Sequence, residues 1–128
     1  MEDAVSKLFI RGVNEFNSKN FYDSHEHFED IWTNYVIEDR LFIQALIQLA
    51  VAYFHISNDN KNGAISLFKK TIGKLDNYID SNKLILNIND VIKSTHESYQ
   101  HLQLIDNMNE FNWELAPKLE FNHDSTHR

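Results

Sequence analysis

Residues 25 to 29 read His-Glu-His-Phe-Glu, which matches a zinc-protease motif except at its last position. That motif, His-Glu-x-x-His, places two histidine ligands one helical turn apart and uses the glutamate as a general base. The fifth position here is Glu29, so the protease motif is incomplete. A histidine and a carboxylate four residues apart still share a helix face. Such a pair favours metal binding, proton transfer or a structural ion pair.

Two predicted helices must position this pair. The apolar face of the second helix consists of aromatic side chains at helical spacing: Phe21, Phe28, Trp32 and Tyr35. His25 and Glu29 lie at the edge of this face, and Glu26 lies further round. The third helix, about residues 39–57, is apolar nearly all round, which predicts a buried, central position. Its few polar side chains nevertheless fall in one stripe: Arg40, Gln44, Gln48 and His55.

The connection over residues 36–39 is short, so the second and third helices are expected to pack antiparallel. This pairing predicts a buried polar cluster between them: Tyr22, His25, Glu29, Arg40, Gln44, Gln48 and His55. Because a buried carboxylate needs a charge partner, we expect Arg40 to pair with Glu29. With Glu26 and Trp32 added, these residues are the candidate binding site.

Three interpretations of the cluster remain open. It can hold the helices in register without binding anything, or it can line a small-molecule pocket. As a third alternative, His25, Glu29 and His55 supply the two histidines and one carboxylate of a metal site. Against a metal, glutamines are poor ligands and Arg40 would repel a cation. We therefore expect no cofactor, keep a metal as an alternative, and assign no catalytic residue.

The rest of the chain predicts an all-α fold. Only three glycines and one proline occur in 128 residues, which favours long helices with short loops. We predict a single bundle of about five helices in antiparallel hairpins over residues 1–108, with the fourth helix ending at Ser81-Asn82. Residues 109–128 form an extended tail that docks on the bundle through its aromatics, with a frayed end. Gly12, Ser24 and Phe28 recur 40 residues later as Ala52, Ala64 and Phe68, which suggests two related helical hairpins.

Composition narrows the function classes. The net charge of −7 argues against nucleic-acid binding, which needs a concentrated basic face. The chain has no cysteine, so disulfides and thiolate metal sites are excluded. The first residues do not resemble a signal peptide, and the apolar run over residues 41–56 is short for a membrane span. We expect a cytoplasmic protein that does not bind membranes.

Several of these residues resemble a known family, the domain-of-unknown-function family numbered 309. The similar residues include Phe16-Asn17, Phe21-Tyr22, His25-Glu26, Glu29, Trp32, Arg40, residues 44–48 (Gln-Ala-Leu-Ile-Gln), His55, Asn60, Gly63-Ala64 and Leu75. The resemblance covers about residues 8–80, and beyond it only Pro117-Lys118-Leu119 is similar. It implies a small all-helical bundle with no established biochemical activity.

For function, we expect an uncharacterised helical protein that acts as a non-catalytic binding or scaffolding module. The first alternative is a small-molecule-binding protein or hydrolase-like enzyme in which Glu29 is a base or His25 an acid–base group. The second is a metalloprotein using His25, Glu29 and His55. Whether the protein is an enzyme is left open, and a protein partner, a small ligand and a homodimer are all kept as alternatives.

Overall fold

A computed structural model describes residues 2–81 and 84–122 of the chain, so the predictions for Asn82 and for residues 123–128 lie outside the described residues. Within those ranges the chain forms five α-helices: α1 (Glu2–Asn17), α2 (Phe21–Asn34), α3 (Arg40–Ser57), α4 (Lys61–Leu75) and α5 (Ile88–Leu104). The predicted all-α bundle of about five helices is therefore confirmed.

The third helix is the centre of the bundle, as predicted. It packs between α2 and α4, and six of its apolar side chains are fully buried: Ala45, Leu46, Leu49, Ala50, Ala52 and Tyr53. Its start is fixed by Asp39, whose carboxylate accepts the backbone N–H of Phe42 at 3.2 Å. Half of the residues of α3 are buried and most of the others are half-buried, which fits a sequence that is apolar nearly all round.

Small residues allow each helical hairpin to close. A Cβ atom at Gly12 would lie 2.5 Å from the Phe28 ring, so only glycine lets α1 and α2 approach this closely. Ser24 then donates its hydroxyl hydrogen to the Gly12 carbonyl at 2.7 Å. In the α3–α4 hairpin, Thr71 donates in the same way to the Ala45 carbonyl at 2.8 Å. Both hairpins thus join their helices through a buried hydroxyl bound to a main-chain carbonyl.

One predicted helix end was wrong, and one residue of a type suited to capping does not cap its helix. Asn20 precedes α2, but its side-chain amide donates to Glu15 at 2.8 Å and makes no cap hydrogen bond with the helix. The fourth helix ends at Leu75, earlier than predicted, and continues as the 3-10 turn Asp76–Tyr78. There the Tyr78 hydroxyl donates to Asp39 at 2.7 Å, which ties the end of α4 to the start of α3.

After α5 the chain returns across the bundle as a segment over residues 105–122, which we call the return segment. The prediction was an extended tail. The segment is not extended throughout, because it contains the 3-10 turns Met108–Glu110 and Trp113–Leu115. The Trp113 ring stacks on Phe21 with centroids 5.7 Å apart, and Phe111 meets Tyr53 edge to face at 6.2 Å. These aromatic contacts hold the segment against α2 and α3.

Asparagine side chains hold the end of the return segment. The Asn17 amide accepts from the Leu119 N–H and donates to the Leu119 carbonyl, both at 2.9 Å. Asn87 likewise accepts from the Glu120 N–H at 2.8 Å and donates to the Lys118 carbonyl at 2.9 Å. These amides satisfy part of the extended backbone, and an isolated antiparallel bridge between Leu86 and Phe121 satisfies more of it.

A second polar connection crosses the core. The Tyr53 hydroxyl lies 2.6 Å from the Ser98 hydroxyl, which in turn donates to the Leu115 carbonyl at 3.1 Å. Because the Ser98 hydrogen is used on Leu115, Tyr53 is the donor to Ser98. Burial raises the pKa of the Tyr53 hydroxyl well above its ordinary value, and the bond to Ser98 partly offsets this. This chain of hydrogen bonds links α3, α5 and the return segment.

Among the residues described, α3 is the one helix long and apolar enough to cross a membrane by length and composition, and half of that stretch is buried inside the bundle. The expectation of a stretch too short for a membrane span was based on residues 41–56, whereas α3 extends over Arg40–Ser57. A buried core helix has the same composition as a membrane span, and the position of α3 accounts for its apolar surface.

Candidate functional site

The His25 and Glu29 side chains do meet on α2, but at the surface. His25 Nε2 lies 3.1 Å from Glu29 Oε1, and the side chains are 18% and 55% exposed respectively. His25 Nδ1 lies 2.9 Å from the Tyr22 carbonyl oxygen. Both neighbours are hydrogen-bond acceptors, and the ring is held between them. The pair is an ordinary surface interaction one turn apart on a helix.

The predicted ion pair between Arg40 and Glu29 is absent from the described residues. The Arg40 guanidinium lies instead over the Trp32 ring, with its Cζ atom 4.1 Å from the ring centroid. Stacking on an indole suits a weakly hydrated, planar cation. The half-exposed Glu29 is solvated and needs no buried charge partner.

The two glutamines of α3 are half-buried between the helices. The Gln48 Oε1 and Trp32 Nε1 atoms are both buried and have no hydrogen-bond partner among the described residues. The first is an acceptor and the second a donor. Gln44 and Gln48 make no hydrogen bond to His25 or Glu29 in that part of the chain.

The predicted metal triad is not assembled either, because His55 lies in the last turn of α3 and bonds to the connection into α4. Asn60 donates its amide hydrogen to His55 Nδ1 at 3.3 Å and accepts from the Gly63 N–H at 2.9 Å, capping α4. Burial lowers the pKa of His55, in keeping with a neutral ring that accepts at Nδ1. Over residues 2–81 and 84–122, no three histidine, aspartate or glutamate side chains come together to hold a metal ion.

Tyr22 is half exposed and packs against the rings of His25 and Phe54, with centroids 5.1 and 5.5 Å apart. The predicted buried cluster therefore divides into three local groups: the pair on α2, the Arg40–Trp32 stack with the glutamines, and the His55 cap. Glu26 is exposed beside Glu29 and Asp30, where these acids border a shallow depression of about 400 Å³. This outer face of α2 is acidic and open to solvent.

A larger cleft lies at one end of the bundle, where α1 begins, α2 ends and α3 begins. Its volume is about 590 Å³, within the usual range of ligand-binding clefts. Most of its lining is apolar: Val5, Phe9, Ile31, Val36, Ile37, Phe42, Ile43, Leu84 and Ile85. Val36 is fully exposed and Ile85 is 55% exposed.

Sequence reasoning missed this cleft, although a signal was present. Val36 and Ile37 are adjacent branched apolar residues in a connection that should be polar. An exposed apolar residue in a short loop carries a cost in solubility and contributes nothing to the core. The contribution of Leu84 and Ile85 was not visible, because their distance in sequence gives no hint that they meet the α2–α3 connection.

The charged side chains that line the cleft are both acidic, Glu38 and Asp39. Asp39 is partly engaged, since its Oδ1 atom accepts from the Phe42 N–H and the Tyr78 hydroxyl. Burial raises the pKa of the Tyr78 hydroxyl, and its bond to Asp39 and the negative charge there raise it further. Glu38 is exposed and makes no hydrogen bond or ion pair within the described part of the chain.

One known protein family matches a part of the chain that includes most of these elements. Residues 9–67 match the family described as a domain of unknown function, DUF309. We call this matched stretch the DUF309 region. The resemblance drawn from the sequence is thereby confirmed, although residues 68–80 lie beyond the match. A comparison with curated proteins gave no match.

The DUF309 region spans most of α1, all of α2 and α3, and the first half of α4. It contains every residue of the predicted polar cluster and most of the cleft lining. Val5, Ser6, Leu84 and Ile85 lie outside it and complete the cleft from both sides. The family description names no activity, so the function has to be argued from the surface itself.

Proposed function

We propose that the protein is a non-catalytic binding module, and that it takes an apolar segment of a partner protein into the cleft at the α2–α3 connection. The observation that carries this proposal is the apolar lining of the cleft together with the exposed side chains at its rim. Apolar side chains left in water at one place on a folded domain are typical of a protein interaction site.

The rigidity of the surroundings supports a preformed cleft. Its walls are helices of the two hairpins, which are closed by Gly12 against Phe28 and by the bond from Thr71 to the Ala45 carbonyl. The 2.7 Å bond between Tyr78 and Asp39 fixes the entrance to α3. A partner that binds a preformed surface loses less free energy to ordering than one that must shape it.

The surface on α2 offers less to a reaction. The His25 ring lies between the Tyr22 carbonyl and Glu29, and the Glu29 side chain is 55% exposed to solvent. No cysteine is present to act as a nucleophile. The acids beside Glu29 border an open depression, whereas catalytic groups act best where water is excluded.

A titration of isotope-labelled protein tests the proposal. The probe is a synthetic amphipathic peptide of leucine and glutamine, and binding is followed by NMR chemical shifts. We expect shift changes concentrated at the cleft-lining residues and abolished by Val36→Asp. The fully exposed position of Val36 means that this variant should fold normally.

The matched control is Leu104→Asp, which places the same charge at another exposed aliphatic residue. Leu104 is 84% exposed and lies at the end of α5. This control variant should bind as the unmodified protein does. Shift changes spread over the whole surface, or retained in Val36→Asp, would contradict the proposal.

A further inference from the structure

We infer that the partner segment is basic as well as apolar, with lysine or arginine side chains that pair with Glu38 and Asp39. This inference rests on the proposed function, because it names the chemistry of the partner for the same cleft. Among the residues that the structure describes, the cleft lining includes no lysine, arginine or histidine, and its two ionisable side chains are acids.

The state of the two acids supports a cationic partner. Glu38 lies on the rim between Val36 and α3, exposed and without a partner in residues 2–81 and 84–122. Both contacts to Asp39 use its Oδ1 atom, which leaves the second oxygen available. The nearest cation in sequence, Arg40, is stacked over Trp32 and does not line the cleft.

Other occupants of the cleft fit less well. A second copy of the chain would bring Glu38 and Asp39 toward the same acids and would join two molecules that each carry a net charge of −7. An anionic membrane surface would meet the same repulsion. A basic apolar segment satisfies the exposed side chains of Val36 and Ile85 and the acids at once.

The exposed apolar surface continues beyond the cleft. Ile79, 56% exposed, directly follows Tyr78, whose hydroxyl binds Asp39. Leu41, 41% exposed, lies in the first turn of α3. A segment longer than the cleft would find further exposed apolar side chains on residues next to Tyr78 and Arg40 while its charged groups meet the acidic rim.

Three synthetic peptides test the inference by fluorescence anisotropy. They share one leucine pattern and carry lysine, glutamine or glutamate at every polar position. We expect the lysine peptide to bind most tightly and the glutamate peptide least. Glu38→Gln should weaken the lysine peptide by about three- to fivefold, the effect of one exposed charge pair, and leave the glutamine peptide unchanged.

The control is Glu114→Gln, which removes an exposed charge from the return segment, outside the cleft lining. It should leave the binding of all three peptides as it was. The advantage of the lysine peptide should also shrink as salt rises, because the Glu38 pair is exposed.

The possible results separate the two claims. Equal binding of the three peptides, with loss in Val36→Asp, would overturn the inference and leave the proposed function standing. If the lysine peptide binds Glu38→Gln and Val36→Asp as tightly as it binds the unmodified protein, the attraction is unspecific and the inference is overturned. If no peptide binds, the proposed function is itself wrong, and the inference fails with it.

Discussion

The hydrogen bonds of Ser98 allow a sharp test of the core, because the donor and the acceptor of each bond can be assigned. Tyr53 donates to Ser98, and Ser98 donates to the Leu115 carbonyl. Both side chains are fully buried. Tyr53→Phe removes one donor but leaves the Ser98 hydrogen bonded to Leu115. We expect the free energy of unfolding to fall by about 1 kcal/mol, the usual net value of one hydrogen bond.

Ser98→Ala should cost more, although it removes a smaller group. It leaves the Tyr53 hydroxyl buried without an acceptor, and it leaves the Leu115 carbonyl without its donor. A buried unsatisfied polar group costs about 1–3 kcal/mol, and the partly exposed carbonyl adds less. We therefore expect a loss of about 2–4 kcal/mol for the single variant. The double variant, with Tyr53→Phe added, no longer has the orphaned hydroxyl and should regain about 1–2 kcal/mol.

Urea unfolding followed by far-UV circular dichroism measures all three variants, and equal slopes with denaturant would show that the unfolded states are comparable. The decisive observation is the order of stabilities: the double variant should be more stable than Ser98→Ala. A double variant whose losses simply add would show that the two hydroxyls are not coupled. In that case the hydrogen bond between Tyr53 and Ser98 does not contribute to stability in this way.

Three further predictions concern other sites. Burial lowers the pKa of His55 below its ordinary 6.5, so the unfolded chain binds a proton at His55 more readily than the folded chain does. The free energy of unfolding should therefore fall as the pH drops below 6.5. His55→Gln should make this fall smaller in thermal unfolding scans from about pH 7 to pH 5. Gly12→Ala should destabilise by about 1–3 kcal/mol against Phe28, whereas Gly73→Ala, with open space around it, should stabilise by up to about 1 kcal/mol in urea unfolding. Glu29→Ala should cost below about 1 kcal/mol in the same assay, and a loss of several kcal/mol would mean that this carboxylate has a buried charge partner after all.

The fold could be predicted because its evidence is periodic and local. The apolar residues of α3 recur on all sides, and no other position than the centre of the bundle would bury them. The helix ends were harder to place. Asn20 has the right residue type for a cap, but a competing acceptor on Glu15 takes its amide. Such competition is decided by distances that a sequence does not contain.

The candidate site failed for a different reason. A helical wheel placed Arg40 and Glu29 near the same interface, but it could not rank the Trp32 face against a carboxylate as the partner of the guanidinium. His55 was on the predicted stripe, yet it lies near the end of α3, where the turn into α4 supplied Asn60 as a partner. A shared angle around the helix axis places these residues on one side of the helix, but it does not show that their side chains are in contact.

The pairing of Asn17 with Leu119 has a consequence for how the molecule is made. The two residues are 102 positions apart, so this contact closes almost the largest loop the fold contains. The hairpins need only local contacts and can form as soon as their own residues emerge from the ribosome, whereas closing a long loop comes late. During translation, the end of α1 therefore stays without its final partner until Leu119 has been synthesised. The nascent chain passes through a stage in which the hairpins are in place and this edge is still open.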